Sequence, residues 1–195
     1  MSNYNFDDLV NEKFCGNPKK VLDKYKYNSV DSILKRIDNS EDNDIDELEN
    51  IVNEIVLWKL NRMVFIDDDV LKELKMISNI NSPSDAIGID LNRTKRLVRG
   101  LIKSKGVKLP MASSLMHFFN PNVFPIFDQR AYRVIYLANY NANNNVENNI
   151  DLYVDYLKKC IAYYNKNQLD KFFPFSEIDK YLYQLDKEIG NKVKM

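Results

Sequence analysis

Apolar residues recur at three- and four-residue intervals almost throughout this chain, the spacing that gathers them on one side of a helix. Residues 5–14 and 18–26 read as two short helices separated by Gly16-Asn17-Pro18. Ser29 or Asp31 can cap a third, running to about Ile37. The run Ser40 to Asp44 is a solvated acidic loop, after which Ile45, Leu48, Val52, Ile55 and Val56 mark a long amphipathic helix to about Met63. Asp67 to Asp69 supply the N-terminal acids of a helix through Leu71, Leu74 and Ile77, and Asn81-Ser82-Pro83-Ser84 breaks the pattern.

The next helix spans roughly Leu91 to Ser104, with Leu91, Val98, Leu101 and Ile102 on one side and Arg93, Arg96, Arg99 and Lys103 on another. Lys105 to Lys108 make a tight turn, and Pro110 stands where a first helical residue would. Ala112, Leu115, Met116 and Phe119 continue in helical period to Asn120-Pro121. Val123 to Phe127 is short and extended, and Asp128 opens a helix to about Ala138. A polar loop from Asn139 to Asn149, a helix from Ile150 to Tyr164 and a last helix from Ser176 to about Ile189 complete the order. The expected fold class is all-α, since no segment demands a sheet.

A length of 195 residues suits one domain, or one domain folded as two lobes. Hydrophobic residues at 45%, with twelve Tyr and ten Phe, are enough for a sizeable core and exclude wholesale disorder. Two cysteines, Cys15 and Cys160, leave neither a disulfide framework nor a four-thiolate metal site, and one histidine, His117, argues against an all-histidine centre. Neither a metal nor another cofactor is expected. The segment Asp67-Asp68-Asp69 lacks the ligand loop of an EF-hand and reads better as a helix start. No apolar run approaches a membrane span, and MSNYNFDDLV lacks the regions of a signal peptide, so a cytoplasmic location is expected.

Charge changes the picture only when it is read by segment. The chain holds 28 basic and 28 acidic side chains, which excludes a globally basic nucleic-acid binder. Yet Asp38 to Leu74 carries twelve acids against three bases, and Gly88 to Arg133 nine bases against two acids. Charge runs are usually solvated surface. If the bases serve one anionic ligand, they should line one face around Asp128, with most acids elsewhere.

One constellation concentrates the chemistry. A helix ends in Lys103-Ser104-Lys105-Gly106-Val107-Lys108, a second starts at Leu109-Pro110-Met111-Ala112, and Asp128 follows Gly106 by 22 residues, after Phe124-Pro125-Ile126-Phe127. This stretch of about 45 residues resembles the helix-hairpin-helix and catalytic aspartate of the HhH-GPD superfamily of DNA glycosylases, in particular small bacterial members of the 8-oxoguanine glycosylase-like branch. Trp58-Lys59 and Asp179-Lys180-Tyr181-Leu182-Tyr183 also look like that branch. The resemblance implies a two-lobed helical domain over 1–195, with the hairpin and aspartate segment at about 91–138.

It further implies that the backbone of Gly106 and Val107 holds a DNA phosphate, with Lys105, Lys108 and Arg130 as cationic neighbours. Lys108 stands where the family carries a second glycine, and a lysine fits there if its φ is negative. Asp128 matches the aspartate that stabilises positive charge on the sugar as the base departs. Bifunctional members carry a lysine nucleophile where this chain has Pro110, which has no amine for a Schiff base. The implied activity is hydrolytic base removal without lyase chemistry, on double-stranded DNA with a flipped base, by a monomer. Trp58, Phe118, Tyr132 and Phe175 are expected walls of the base pocket.

Plainer readings stand beside these. Asp128 is also a good helix N-cap, His117 a semi-buried structural histidine, and most aromatics core. A non-catalytic DNA-binding or regulatory module on the same scaffold is the alternative function, and a helical protein-interaction domain the third.

Overall fold

The computed structural model describes residues 5–24, 35, 37, 45–60 and 66–190, the side chains of Leu57, Trp58 and Leu60 excepted. Every element among the described residues is helical. In chain order they are α1 (Phe6–Phe14), α2 (Lys19–Leu22), α3 (Ile45–Leu60), α4 (Asp68–Met76), α5 (Pro83–Ile87), α6 (Leu91–Lys103), α7 (Leu109–Phe119), α8 (Gln129–Tyr136), α9 (Val146–Lys166) and α10 (Ile178–Glu188), with short 3-10 turns at Ile77–Asn79, Leu169–Lys171 and Phe175–Glu177. The expected helix before Ile37, the acidic loop at Ser40 to Asp44 and the extension of α3 to Met63 lie outside the described residues, Lys35 and Ile37 apart. No helix among the described residues is long and apolar enough to cross a membrane.

Several boundaries differ from the periodicity for local reasons. Ser82 and Pro83 do more than interrupt: the Ser82 hydroxyl accepts from the Asp85 amide, Pro83 takes the first turn, and a short helix follows. Leu109 rather than Pro110 is the first residue of α7, so the proline occupies a position whose amide has no carbonyl to reach. Asn145, within the expected loop, caps α9 by accepting from Asn148, and the helix starts four residues before Ile150. Leu137 ends α8 in a left-handed conformation, φ 53°, one residue short of Ala138.

Packing joins distant parts of the chain. α3 packs on α4 and α7, and α6 packs on α4, α5 and α7. At the other end, α10 packs on α1, α2 and α8, while α9 touches α8, α5 and α6 and so links the two groups. Gly100 allows α6 its close approach to α4, because a Cβ there would meet Val70 Cγ2 at 2.9 Å.

The centre is α7. Apart from Pro110, each of its residues is buried, although the apolar spacing of Ala112, Leu115, Met116 and Phe119 suggests a one-sided helix. Its polar side chains tolerate this because they are bonded: Ser113 and Ser114 both donate to Pro110 O, at 2.8 and 2.9 Å. On the helices that pack on α7, Leu48, Ile51 and Ile55 of α3 and Leu97 and Leu101 of α6 are fully buried. Each such side chain contributes roughly 1.5–3 kcal/mol of burial, so the packing rather than any exposed ion pair fixes where α7 sits.

Candidate functional site

In the turn between α6 and α7, Val107 N–H donates to Ser104 O at 3.2 Å. Gly106 has φ +87°, a conformation an L side chain rarely adopts. The Val107 side chain is buried and anchors the turn, while Lys105, Gly106 and Lys108 are exposed. Lys108 has φ −116°, so the lysine at this position meets no backbone conflict. Its ammonium donates to Asn144 Oδ1 at 3.1 Å, which brings the loop before α9 against the hairpin. The first turn of α7 then presents amides that have no helical partner, beside three lysines, Lys103, Lys105 and Lys108.

Asp128 caps α8. Its Oδ1 accepts from the amides of Arg130 at 2.7 Å and Ala131 at 3.0 Å. Among the described residues Oδ2 accepts no hydrogen bond, and the residue is half-exposed. One carboxylate oxygen is thus fixed by the helix and the other is not used by the cap. The residue before it is tied to the second turn of α7, where Phe127 N–H donates to Ser113 Oγ at 2.8 Å. Ser113 stands four residues past Leu109, about 6 Å of helix rise, so Asp128 and the hairpin belong to one neighbourhood.

The charge pattern is not the open cationic face that the segment counts suggest. Arg93 pairs with Asp90, Lys95 with Asp151, Arg96 with Glu73 and Arg99 with Glu147. The Arg99 pair is bidentate, at 2.9 and 2.7 Å, and raises the arginine's affinity for its proton while lowering that of Glu147. Asp90 is the N-cap of α6 itself, and the other three partners come from α4 and α9, which both pack on α6. At the hairpin itself Lys103, Lys105 and Lys108 are exposed, Lys108 donating to Asn144.

Arg130, expected among the cationic neighbours of a phosphate, is engaged within the protein: Nη1 donates to Asp186 Oδ2 at 3.0 Å, its side chain is 15% exposed, and it lies over the Tyr183 ring at 5.4 Å. Arg133 binds the same buried carboxylate, so both arginines brace α8 against α10.

The expected pocket walls separate. Tyr132 is half-buried one turn along α8 from Asp128, stacked on Tyr136 at 4.2 Å and in contact with Phe127 and Tyr140. Phe118 is enclosed in the core beside His117, which corrects its assignment as a wall, because a ring filling a packed interior has no face left for a base. Phe175 packs edge-on against Tyr164 near the end of α9, away from the hairpin elements. The side chain of Trp58 lies outside the described residues. His117 is buried and structural, as its position suggests, and Cys160 is buried, which pushes its thiol well above the usual range.

Asp179 and Asp186 were not singled out as site carboxylates from the pattern, yet both are buried. Asp179 Oδ1 has no hydrogen-bond partner among the described residues, and burial raises its carboxyl above the ordinary carboxylate range. A signal did exist: both residues lie seven apart on α10, three before and four after Leu182, and therefore on its apolar side.

Compared with models of protein families, with curated proteins and with solved structures, the chain matches none of them. The functional reading rests on the residues themselves.

Proposed function

We propose that the chain is a monofunctional DNA N-glycosylase of helix-hairpin-helix type, acting in base-excision repair or against modified foreign DNA. The observation that carries this reading is the division of labour within Asp128. Oδ1 is held by two helix amides while Oδ2 accepts no hydrogen bond among the described residues, and Phe127 ties the segment to α7, whose N-terminus follows a glycine turn suited to a phosphate. In such an enzyme the bond between C1′ of the sugar and the base breaks, and its electron pair leaves with the base. The carboxylate stabilises the positive sugar, water adds its hydroxyl to C1′, and the remaining proton goes to the base. Pro110 supplies no amine, so no covalent enzyme–sugar intermediate forms there.

The packing of α3, α4, α6 and α7 on one another, and of α1, α2 and α8 on α10, supports the two-lobed part of the proposal. The test is a panel of duplex oligonucleotides, each with one modified base, incubated with protein and then treated with alkali to cleave abasic sites. Wild type should release at least one base and Asp128→Asn none. Equal turnover by both would overturn the mechanism.

The carboxylates on Lys95, Arg96, Arg99, Arg130 and Arg133 favour a second reading, a DNA-binding or regulatory module without catalysis, since they reduce the positive charge that α6 and α8 offer a duplex. That module would bind duplex DNA and leave every base in the panel attached.

A further inference from the structure

The segment leading into Asp128 is buried, leaves a turn at Val123 and belongs to no helix or strand. Residues 123 to 127 are all buried, and backbone carbonyls so placed need partners. Side chains of two helices provide them in order. His117 on α7 bonds Phe124 O at 2.9 Å, Tyr153 on α9 donates to Pro125 O at 3.1 Å, and Tyr156 on α9 donates to Ile126 O at 3.0 Å. Ser113 on α7 then receives the Phe127 amide. Four consecutive residues are therefore each held by a different side chain, two from each helix.

The spacing makes this a built feature. Ser113 and His117 are four apart on α7, and Tyr153 and Tyr156 three apart on α9, so each pair shares one helical face. A carbonyl oxygen can only accept, so the His117 proton facing Phe124 sits on Nδ1. All four side chains are buried, where an unbonded carbonyl is costly and alternative partners are few. Immediately after this clamp the chain turns into α8, and the first side chain beyond it is that of Asp128.

We infer that Ser113, His117, Tyr153 and Tyr156 are positioning residues for Asp128, clamping residues 124 to 127 so that its carboxylate is presented at a fixed place relative to the hairpin on α7. The inference rests on the reading of Asp128 as the reacting carboxylate.

The test uses Tyr153→Phe and Tyr156→Phe, which keep the rings and remove the donors. Two readouts are taken: amide exchange at Arg130 and Ala131, which donate to Asp128, and single-turnover release of the base that wild type excises. Protection at those two amides should fall at least tenfold relative to Leu115 in the middle of α7, and release should slow tenfold or more. Affinity for a duplex bearing a tetrahydrofuran abasic analogue should change less than threefold. His117→Leu should behave like the tyrosine variants, whereas His117→Asn, whose amide nitrogen sits close to the place of Nδ1, should recover most of the protection. Loss of protection in parallel with Leu115 would mean a merely structural role and overturn the inference, as would selective loss with unchanged release. If wild type releases no base, the glycosylase reading fails by itself. The clamp is then decided by exchange alone, selective loss supporting it and parallel loss overturning it.

Discussion

Asp186 on α10 holds Arg133 on α8 through both carboxylate oxygens, at 2.7 Å from Nε and 2.6 Å from Nη2, with the carboxylate fully buried. Arg130 adds a third bond, and hydrogen bonding to Asp186 is the main cause that raises the proton affinity of Arg133. Removing one member of a buried pair leaves the others uncompensated. Asp186→Ala should therefore destabilise the protein by about 3 kcal/mol, measured by urea unfolding. Arg133→Ala, which removes the bidentate partner of Asp186, should be destabilising in the same way. A loss below about 1 kcal/mol for Asp186→Ala would show the brace to be dispensable.

Asp128 should separate capping from chemistry. Asparagine accepts amide bonds at an N-cap nearly as well as aspartate, so Asp128→Asn should fold with stability close to wild type. Asp128→Ala removes the cap and should lose about 1 kcal/mol. Both should fail to release a base. If the Asn variant proved as unstable as the Ala variant, the two amide bonds would not be the cap that the geometry describes.

The parts of this fold that were legible in the sequence are those governed by neighbours along the chain. The bounds of α6, the Gly106 turn and the start of α8 follow from Gly, Pro and Asp placed beside apolar periods. What was not legible depends on residues far away. Nothing near Arg99 announces that Glu147 neutralises it, and nothing near Arg130 announces Asp186. The bonds that bury the polar side chains of α7 are likewise not local: Ser113 meets Phe127 and His117 meets Phe124. The Gly106 turn and the Asp128 cap are local and follow from spacing; which bases and aromatics surround each was decided by tertiary packing.

Salt dependence distinguishes the hairpin lysines from the arginines of α6. Each phosphate neutralised by a lysine adds about 0.9 to the slope of log affinity against log salt. Lys105→Ala and Lys108→Ala should each lower that slope by about 1 for a tetrahydrofuran-containing duplex. Arg96→Ala and Arg99→Ala should leave it unchanged, because Glu73 and Glu147 already occupy those guanidinium groups. An equal drop for Arg99→Ala would mean that DNA displaces Glu147.

Asp179 should make the fold less stable as pH rises. Burial is the main cause raising its carboxyl above the ordinary range, opposed by the nearby charges of His117 and Lys180 and reinforced by Glu177. Between the ordinary carboxylate value near 4 and this raised one, the folded protein holds a proton that the unfolded chain has released. Stability from this group is therefore greatest at the acid end of that window, falls as pH climbs through it, and stays at its lowest above it. Asp179→Asn keeps the shape and removes the titration. The variant should be more stable than wild type at pH 7, and the advantage should shrink as pH falls towards 4, read from melting temperatures at a series of pH values. An advantage that failed to shrink on acidification would place the penalty elsewhere than in the ionised carboxylate.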